Sequence, residues 1–452
     1  MRILKFGGTS LNDAERIKNA AQIVASTTPC ITVCSAMGGM TNDLEKVIEA
    51  WKNHDPIAHE HLKNIRKRAE YTCAGLFTTA GYLERGLQTV NKYFSAAQEL
   101  LFQPWTKEKK AIILATGEWV TSALLYLYLL QSEKDAVFHD ACELMRLDSN
   151  NEPSLNEIIR LCDVAKLTQH NGITVTQGFI CRDAQGNISN LTRGGSDYTA
   201  TLLGAAIKAE AIEIWTDIDG LHNNDPRHVQ DTYPIRELSY PEASELAYFG
   251  AKILHPSCVW PARERNIPIL IKNTLRPHDH GTRIQNYTST ISKGLKAVAA
   301  KDPVTIIQIT SGRMLNAYGF LKKIFEIFET YKTPVDVITT SEVTVSMTIE
   351  NTCKTETIVS HLSKLGRVSV IPDQCIVCAV GSPGQYTAGI IEKLQLLEIK
   401  MISLGAGTNN ITAVLPIKNK VLALKNLQEL MIAQNGLHQK EEEKASRMVV
   451  KV

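Results

Sequence analysis

The chain has 452 residues, of which 44% are hydrophobic and 21% charged, values typical of a soluble globular protein of about three domains. Its 49 basic and 47 acidic residues nearly cancel to a net charge of +2, which gives no reason to expect a nucleic acid or an anionic membrane as partner. We find no signal-type leader and no apolar run long enough to cross a bilayer. Ten scattered cysteines favour reduced thiols in a cytosol.

The chain begins with a short strand that runs into a glycine pair. Residues 2–4 predict the strand, Lys5 ends it, and Gly7-Gly8 precede a helical pattern with Thr9, Ser10 and Asn12 as capping-type residues. Backbone amides at such a helix start can face an anion, and glycines allow a phosphate to approach closely. The stretch is therefore either a phosphate-binding loop or a plain tight turn.

The next elements alternate between strands and helices. Residues 31–34 predict a buried strand, followed by a loop of small residues at 35–42 and a helix-rich, comparatively polar region at 55–110. A turn around Thr116-Gly117-Glu118 is expected to lead into an apolar helix at 119–130, and residues 136–139 predict another strand.

A second glycine loop follows a predicted strand and hairpin. Residues 173–180 predict the strand, and 183–187 have the composition of a hairpin turn. Arg193-Gly194-Gly195-Ser196-Asp197 then opens a helix that reaches about Lys208, before a strand at 211–215. Two glycine-rich helix starts in one α/β domain fit a phosphoryl group moving between donor and acceptor, with coincidence as the alternative. The site is expected along the carboxyl edge of the strands.

From about Gly294 the chain contains a weak internal repeat. Strand, helix and strand pair are predicted at 304–309, 319–331, 335–340 and 343–349, and again at 375–380, 387–397, 399–404 and 410–415. Each β-α-β-β copy has too few strands for an independent sheet, so the copies should associate. The single CxxC, Cys375 to Cys378, lies in a predicted strand and is interpreted as core.

Four sequence motifs resemble the aspartate kinase (aspartokinase) family. They are Lys5-Phe6-Gly7-Gly8-Thr9-Ser10, Gly194-Gly195-Ser196-Asp197-Tyr198-Thr199-Ala200, Trp215-Thr216-Asp217-Ile218-Asp219-Gly220 with Asp225-Pro226-Arg227, and Phe249-Gly250-Ala251-Lys252-Ile253-Leu254-His255-Pro256. No P-loop or protein-kinase motif is found. The resemblance implies an α/β amino-acid-kinase fold, a three-layer sandwich with a mainly parallel sheet, followed by two ACT-type (ferredoxin-like βαββαβ) domains. It implies a catalytic domain at 1–290, ACT domains at 295–370 and 371–440, and a charged tail at 441–452.

The implied reaction transfers the γ-phosphoryl group of ATP to the side-chain carboxylate of L-aspartate, the first step toward lysine, threonine and methionine. That carboxylate is ionised at pH 7, so the chemistry needs charge screening and alignment rather than a general base. Lys5 is the candidate cation for the phosphoryl group, and the resemblance adds Asp197 beside it. Arg193 suits the substrate α-carboxylate and Glu118 its α-ammonium. By resemblance the pocket also includes Thr41, Phe179 and Ser196.

For the nucleotide, the resemblance implies a set drawn from the two glycine loops and the region after the strand at 211–215: Lys5, Phe6, Gly7, Gly8, Thr9, Gly194, Gly195, Thr216, Asp217, His222, Arg227 and Lys252. His222 stands where the family usually has a tyrosine, and its imidazole ring can also stack on a base. Mg²⁺ is expected to enter with ATP, because it bridges phosphate oxygens, and no dedicated metal cage is apparent.

The first repeat resembles the effector segment of lysine-sensitive aspartokinases in a set of eight residues: Met314, Phe320, Leu321, Val335, Asp336, Thr340, Ser341 and Glu342. Alignment of the copies places Lys400 opposite Asp336, Gly405 opposite Ser341 and Ala406 opposite Glu342, so the effector should bind only the first copy. Ala317 replaces a usual serine, which removes one hydroxyl. L-Lysine is the expected effector, with threonine as the alternative.

The resemblance and the repeat lead to one expectation about assembly and leave two alternative functions. Unpaired strand edges suggest association of chains through the repeats, as a homodimer or a tetramer, in a cytoplasmic enzyme. A kinase for another amino acid, such as glutamate or its acetylated form, is the nearest alternative, but it would not be expected to carry the paired repeats. A lysine-sensing protein with an inactive kinase domain is another, although Lys5, Glu118, Arg193 and Asp197 are all present.

Overall fold

The structure is a computed structural model that describes residues 1–191, 194–250, 254–286, 294–314, 318–404 and 409–433. The chain divides into two compact units. The first comprises residues 1–221, 234–240 and 253–289, and the second comprises 222–233, 241–252 and 290–452.

The first unit is built on an eight-stranded, mainly parallel sheet. Its spatial order is β3-β4-β2-β1-β7-β9-β10-β8, and only the β9–β10 pair is antiparallel. The strands of this sheet are β1 Arg2–Phe6, β2 Cys30–Cys34, β3 Ala136–Phe138, β4 Ile173–Gln177, β7 Ile212–Thr216, β8 Glu237–Ser239, β9 Ile269–Asn273 and β10 Thr282–Gln285. A separate hairpin is formed by β5 Ile180–Arg182 and β6 Ile188–Asn190. The predicted parallel α/β sheet is confirmed.

Nine helices are described in the first unit: α1 Ala14–Ser26, α2 Met40–Lys52, α3 Ile57–Leu76, α4 Ala80–Leu101, α5 Lys107–Gln131, α6 Ala141–Leu144, α7 Leu155–Val164, α8 Gly195–Ile207 and α10 Pro256–Glu264. Helix α9 Tyr240–Phe249 belongs to the second unit from Pro241 onward. Buried strands β1 and β2 pack with α1 to α5 in one apolar core. Burial on both faces explains why these strands have continuous apolar sequences rather than alternating ones.

Helix α5 corrects two expectations from the sequence. The turn predicted at Thr116-Gly117-Glu118 is wrong, because α5 continues through these buried residues. Gly117 serves close packing instead, since a Cβ there would lie 2.7 Å from the Cβ of Ala36. The expectation that no apolar run could cross a bilayer is also wrong by length and composition, because α5 meets both criteria. However, 78% of its apolar window is buried inside the protein, as in the core helix of a soluble protein.

The chain after β1 differs from the predicted helix start. Gly8–Leu11 forms a short 3₁₀ turn, and α1 begins only after Asp13, whose side chain accepts a hydrogen bond from the backbone N–H of Arg16. Thr9, Ser10 and Asn12 therefore do not cap α1. The second glycine loop matches its prediction, because Gly194 is the N-cap of α8 and Lys208 its C-cap.

The second unit contains a six-stranded sheet with the order β12-β13-β11-β14-β16-β15. Its strands are β11 Leu295–Thr310, β12 Ile338–Thr340, β13 Thr344–Glu350, β14 Arg367–Gly381, β15 Met401–Leu404 and β16 Asn410–Pro416. Its described helices after residue 290 are α11 Phe320–Thr330, α12 Thr355–Leu362, α13 Thr387–Leu394 and a helix at 420–433. The two repeats share one sheet, as their short strand sets required. Cys375 and Cys378 lie buried in β14, as the interpretation of the CxxC as core expected.

The long strands β11 and β14 divide between the two repeats. Residues 304–310 of β11 pair with β13 and with the first half of β14, and Ile307 and Ile309 pack in the core of the first repeat. Leu295 and Val298 instead pack with Cys375, Leu415 and Leu427 in the core of the second repeat. The start of the first repeat predicted at 295 thus differs from the packing, because strand 295–301 completes the second repeat. The predicted tail at 441–452 lies outside the described residues.

Candidate functional site

Lys5 and Asp197 form an ion pair in the first unit. Lys5 lies in β1 between β2 and β7, and Asp197 lies in the first turn of α8. The Nζ of Lys5 is 2.7 Å from Oδ1 of Asp197, and the two side chains are only 10% and 11% exposed. The sequence places these residues 192 positions apart, and the parallel sheet brings them together. The buried carboxylate of Asp197 therefore holds Lys5, the cation that the sequence analysis selected for the phosphoryl group.

The first glycine loop packs against the loop that follows β2. A Cβ on Gly8 would lie 2.9 Å from the carbonyl oxygen of Ala36 and 3.2 Å from Cα of Gly38. Such contacts are too close for a larger residue to enter without moving backbone. Arg68 from α3 also donates a hydrogen bond of 2.7 Å to the carbonyl of Gly38. The two loops are thus held at backbone contact next to Lys5.

The second glycine loop is shaped by backbone conformation and by crowding. Gly194 has φ of +75°, and a Cβ there would lie 2.5 Å from Cβ of His255, so both conformation and space favour glycine. Gly178 faces Ser196, whose Cβ would be 2.5 Å from an added Cβ. Phe179 also has a positive φ of 66°, and its N–H donates to the hydroxyl of Thr199 at 3.0 Å. Thr199 thereby holds Phe179 in a strained conformation at the site.

Glu118 is a buried acid with an unused oxygen. Its side chain lies on α5, it is 3% exposed, and it accepts a hydrogen bond from the backbone N–H of Ala36. Its Oε2 has no hydrogen-bond partner in the part of the chain that the structure describes. Burial raises the pKa of Glu118 to about 8, only partly offset by the hydrogen bond from Ala36. A cation bound to this oxygen would give it a hydrogen-bond partner and would lower the raised pKa.

These groups line one cleft of about 690 Å³. Of the sequence-predicted residues, it is lined by Lys5, Gly8, Thr41, Glu118, Phe179, Gly194, Gly195, Ser196 and Asp197. Arg193, the predicted carboxylate-binding residue, lies outside the described residues. Phe6 does not line the cleft, because it is buried and stacks on Trp215, with ring centroids 6.1 Å apart. Gly7 and Thr9 do not line it either.

The cleft also contains residues that sequence reasoning missed. Lys107 and Lys110 from the first turn of α5, with Asn42 and Glu45 from α2, contribute charged and polar groups. The loop 35–42 was recognised by its small residues, but only Thr41 was selected from it. Lys107 and Lys110 carried no signal, since a lysine pair at a helix start is common on any surface.

The predicted nucleotide residues are divided between the two units. Thr216 and Asp217 follow β7 in the first unit, where the hydroxyl of Thr216 lies 3.1 Å from Oδ1 of Asp217, and neither lines the cleft. Arg227 belongs to the second unit and is 71% exposed, with a two-pronged contact to Asp225 that lowers the pKa of that carboxyl. His222, also in the second unit, bonds Thr232 through Nδ1 at 2.9 Å. Lys252 lies outside the described residues.

The predicted effector residues occupy different surroundings in the second unit. Phe320 is buried in the core of the first repeat, with Met314 and Val335 packed against that core. Leu321, Thr340, Ser341 and Glu342 are exposed. The carboxylate of Asp336 is fully buried and ion-paired to Lys301. Phe320 and Asp336 are therefore not open to solvent in this conformation.

The structure supports the alignment of the two repeats. The backbone N–H of Asp336 donates to the carbonyl of Thr348, and that of Lys400 donates to the carbonyl of Val414. Thr348 and Val414 are each the fifth residue of their strands, so Asp336 and Lys400 occupy equivalent positions. Gly405, Ala406 and Ala317 lie outside the described residues.

The chain is similar to known proteins over most of its length. The amino acid kinase family model matches residues 1–273. The lysine-sensitive aspartokinase 3 of Escherichia coli (strain K12) is 31% identical over 436 residues, covering 92% of this chain and 95% of that protein. The chloroplastic aspartokinase 3 of Arabidopsis thaliana is 32% identical over 444 residues, covering 91% and 78% respectively.

Two solved structures of E. coli aspartokinase III are similar to 95% of this chain. The complex with aspartate and ADP, described as the R-state, has a TM-score of 0.84 at 29% identity and covers 95% of this chain and 99% of that chain. The complex with lysine and aspartate, described as the T-state, has a TM-score of 0.78 with the same identity and coverage.

Proposed function

The chain belongs to the amino acid kinase family and, within it, to the aspartokinases, and we propose that the cleft around Lys5 and Glu118 is its active site. The reaction transfers the γ-phosphoryl group of ATP to the side-chain carboxylate of L-aspartate and yields ADP and 4-phospho-L-aspartate. The observation that carries the assignment is that a paired lysine and an unpaired buried acid line one cleft.

Lys5 provides the charge that phosphoryl transfer needs. An aspartate carboxylate must approach a polyanion, and a preorganised cation in a site shielded from water lowers the barrier for that approach. Asp197 holds the Nζ of Lys5 at 2.7 Å and fixes its position before substrate binds. The amides around Gly8, Gly194 and Gly195, which line the same cleft, add hydrogen-bond donors. No general base is required, because the substrate carboxylate is already ionised.

Glu118 selects an amino acid over a carboxylic acid that lacks an amino group, because it binds the α-ammonium group. Its Oε2 is buried and lacks a hydrogen-bond partner in the described part of the chain. An incoming α-ammonium supplies both a hydrogen-bond donor and a positive charge to this oxygen. Binding of that ammonium lowers the pKa of Glu118 from about 8 and ionises it in the complex. Arg193, proposed from the sequence alone, would hold the substrate α-carboxylate. Thr41, Phe179 and Ser196 complete the walls of the pocket.

The nucleotide enters as its magnesium complex. Mg²⁺ is carried by ATP in this proposal, because a hard cation binds phosphate oxygens strongly. Among the described residues, no group of three or more histidine, cysteine, aspartate or glutamate side chains is placed to hold a metal ion. Thr216, Asp217, His222, Arg227 and Lys252 remain the sequence-based proposal for the nucleotide, together with the glycine loops.

Feedback inhibition by L-lysine completes the function, with the first repeat as the effector site. The similarity to a lysine-sensitive aspartokinase supports lysine over threonine. Asp336 supplies the anion for the effector, whereas the equivalent Lys400 would repel it. In the described part of the chain, the edge strands β12 and β15 lie close to each other and carry the exposed apolar side chains of Ile338 and Leu404, which support association of chains as a homodimer or tetramer. Ten free cysteines, nine of them buried, support a cytoplasmic enzyme.

One assay tests the activity. Purified protein is incubated with MgATP and L-aspartate, and hydroxylamine traps the acyl phosphate as a coloured hydroxamate. We expect hydroxamate with aspartate but not with glutamate or N-acetylglutamate, and less of it when lysine is added. Product with glutamate instead would favour the other amino-acid kinases. Lysine binding without any turnover would favour a sensor with an inactive kinase domain.

A further inference from the structure

The carboxylate of Asp336 is already occupied by a cation from its own chain. The Nζ of Lys301 lies 2.7 Å from Oδ1 of Asp336, whose side chain has no exposed surface. The hydroxyl of Tyr248 donates to the same Oδ1 at 2.5 Å. Two donors thus converge on one oxygen. The other oxygen, Oδ2, is buried and has no hydrogen-bond partner among the residues described.

Lys301 presents to Asp336 the same chemical group as a lysine effector. We propose that Lys301 is an internal competitor for the effector's ammonium group and thereby sets the affinity of the effector site. This inference rests on the proposed function, since it assumes that Asp336 is the anion of the effector site. A buried carboxylate carries one negative charge, so two ammonium groups beside it would repel each other.

The surroundings of Lys301 provide a route for the exchange. Glu350, at the end of β13, lies 3.0 Å from the same Nζ and is 55% exposed. An incoming ammonium reaches Oδ2, the unpaired oxygen, while Lys301 leaves Oδ1 and keeps Glu350 as its partner. Lys301 therefore does not become a buried cation without a counter-charge, which would make the exchange prohibitively costly.

The exchange also changes the contacts of α9. Tyr248 on α9 donates to Asp336, and the Nζ of Lys301 lies 4.7 Å from the centroid of its ring. When Lys301 turns away from Asp336, the ring loses a cation from its face while the hydroxyl keeps its acceptor. Binding of the effector therefore changes the contacts of α9, the helix that ends at Phe249, the first residue of the Phe249-Gly250 motif.

The test compares lysine binding by the full-length protein and its Lys301→Met variant. Binding of L-lysine is measured by calorimetry, and inhibition of hydroxamate formation is measured in parallel. We expect the dissociation constant and the inhibition constant for lysine to fall at least about tenfold, because the variant leaves a buried carboxylate without its cation. Lys301→Arg, which keeps the charge, should retain the wild-type affinity. If Lys301→Met does not fold, Lys301→Gln keeps a hydrogen-bond donor without the charge and takes its place.

Lys296→Met provides the matched control. Lys296 lies on the same strand β11 and forms a buried ion pair with Glu242 at 2.9 Å, so its loss perturbs folding in a similar way without touching Asp336. Lysine affinity should be unchanged in this control. If the wild type binds lysine and Lys301→Met binds it with equal or lower affinity, the inference about Lys301 is wrong, but the effector assignment stands. A wild type that fails to bind lysine overturns the effector assignment as well, and a missing hydroxamate product overturns the activity.

Discussion

Replacement of Glu118 by glutamine should stabilise the free protein at neutral and alkaline pH while abolishing aspartate binding. Burial raises the pKa of Glu118 from its ordinary value of 4.5 to about 8. Between these values the unfolded chain has released the proton and the folded protein still holds it. Stability therefore falls as pH rises, by about 1.4 kcal/mol per pH unit. Over the whole interval between pH 4.5 and about pH 8, this loss of stability is on the order of 5 kcal/mol.

Glutamine does not titrate and so escapes this loss. We expect the wild type and Glu118→Gln to have similar stability near pH 5, and the variant to gain stability over the wild type progressively up to pH 8. Urea unfolding followed by tryptophan fluorescence measures the difference, because all five tryptophans lie in the first unit. Aspartate should restore stability to the wild type but not to the variant, since only a carboxylate pairs with the substrate ammonium.

The exposed Glu99 on α4 provides the control, and Glu99→Gln should show no comparable dependence on pH. A stability difference between wild type and Glu118→Gln that stays constant from pH 5 to 8 would refute the reasoning. So would normal aspartate affinity in Glu118→Gln, because the unpaired oxygen would then have no role in binding.

Three further substitutions test other residues of the proposed active site. Lys5→Met should fold normally by circular dichroism and lose about 10²–10³ in turnover, because it removes a preorganised cation; near-normal hydroxamate formation would contradict this role. Gly8→Ala should lose at least about tenfold in turnover, because its Cβ would lie 2.9 Å from the carbonyl of Ala36 and force the two loops apart. The control Gly81→Ala, with open space at its Cβ, should be as active as the wild type. Arg193→Ala should raise the KM for aspartate far more than that for ATP, and equal effects on both would argue against a contact with the substrate carboxylate.

The sequence alone determined the class of fold and about a third of the residues that line the cleft. Apolar strands followed by glycine loops indicate a parallel sheet with its site at the carboxyl edge, because local chain stiffness and burial are encoded within each segment. Lys5 and Asp197 were selected through sequence motifs and Glu118 as an anion for the substrate ammonium, and the structure brings all three to one cleft. The repeat alignment of Asp336 with Lys400 also survives, since it depends on the periodicity of short strands.

The tertiary structure decided what depends on partners distant in sequence. A glycine at 117 has the local signature of a turn, and only the contact with Ala36 shows that it is a packing position inside α5. The division of β11 between two repeat cores cannot be derived from periodicity, because both halves of the strand contain apolar residues of the kind that pack in a core. Asp336 was identified as an anion available to an effector, yet Lys301, 35 residues away, already occupies it. Whether a charged side chain is free or paired depends on packing, and a pair between residues distant in sequence is visible only in the folded chain.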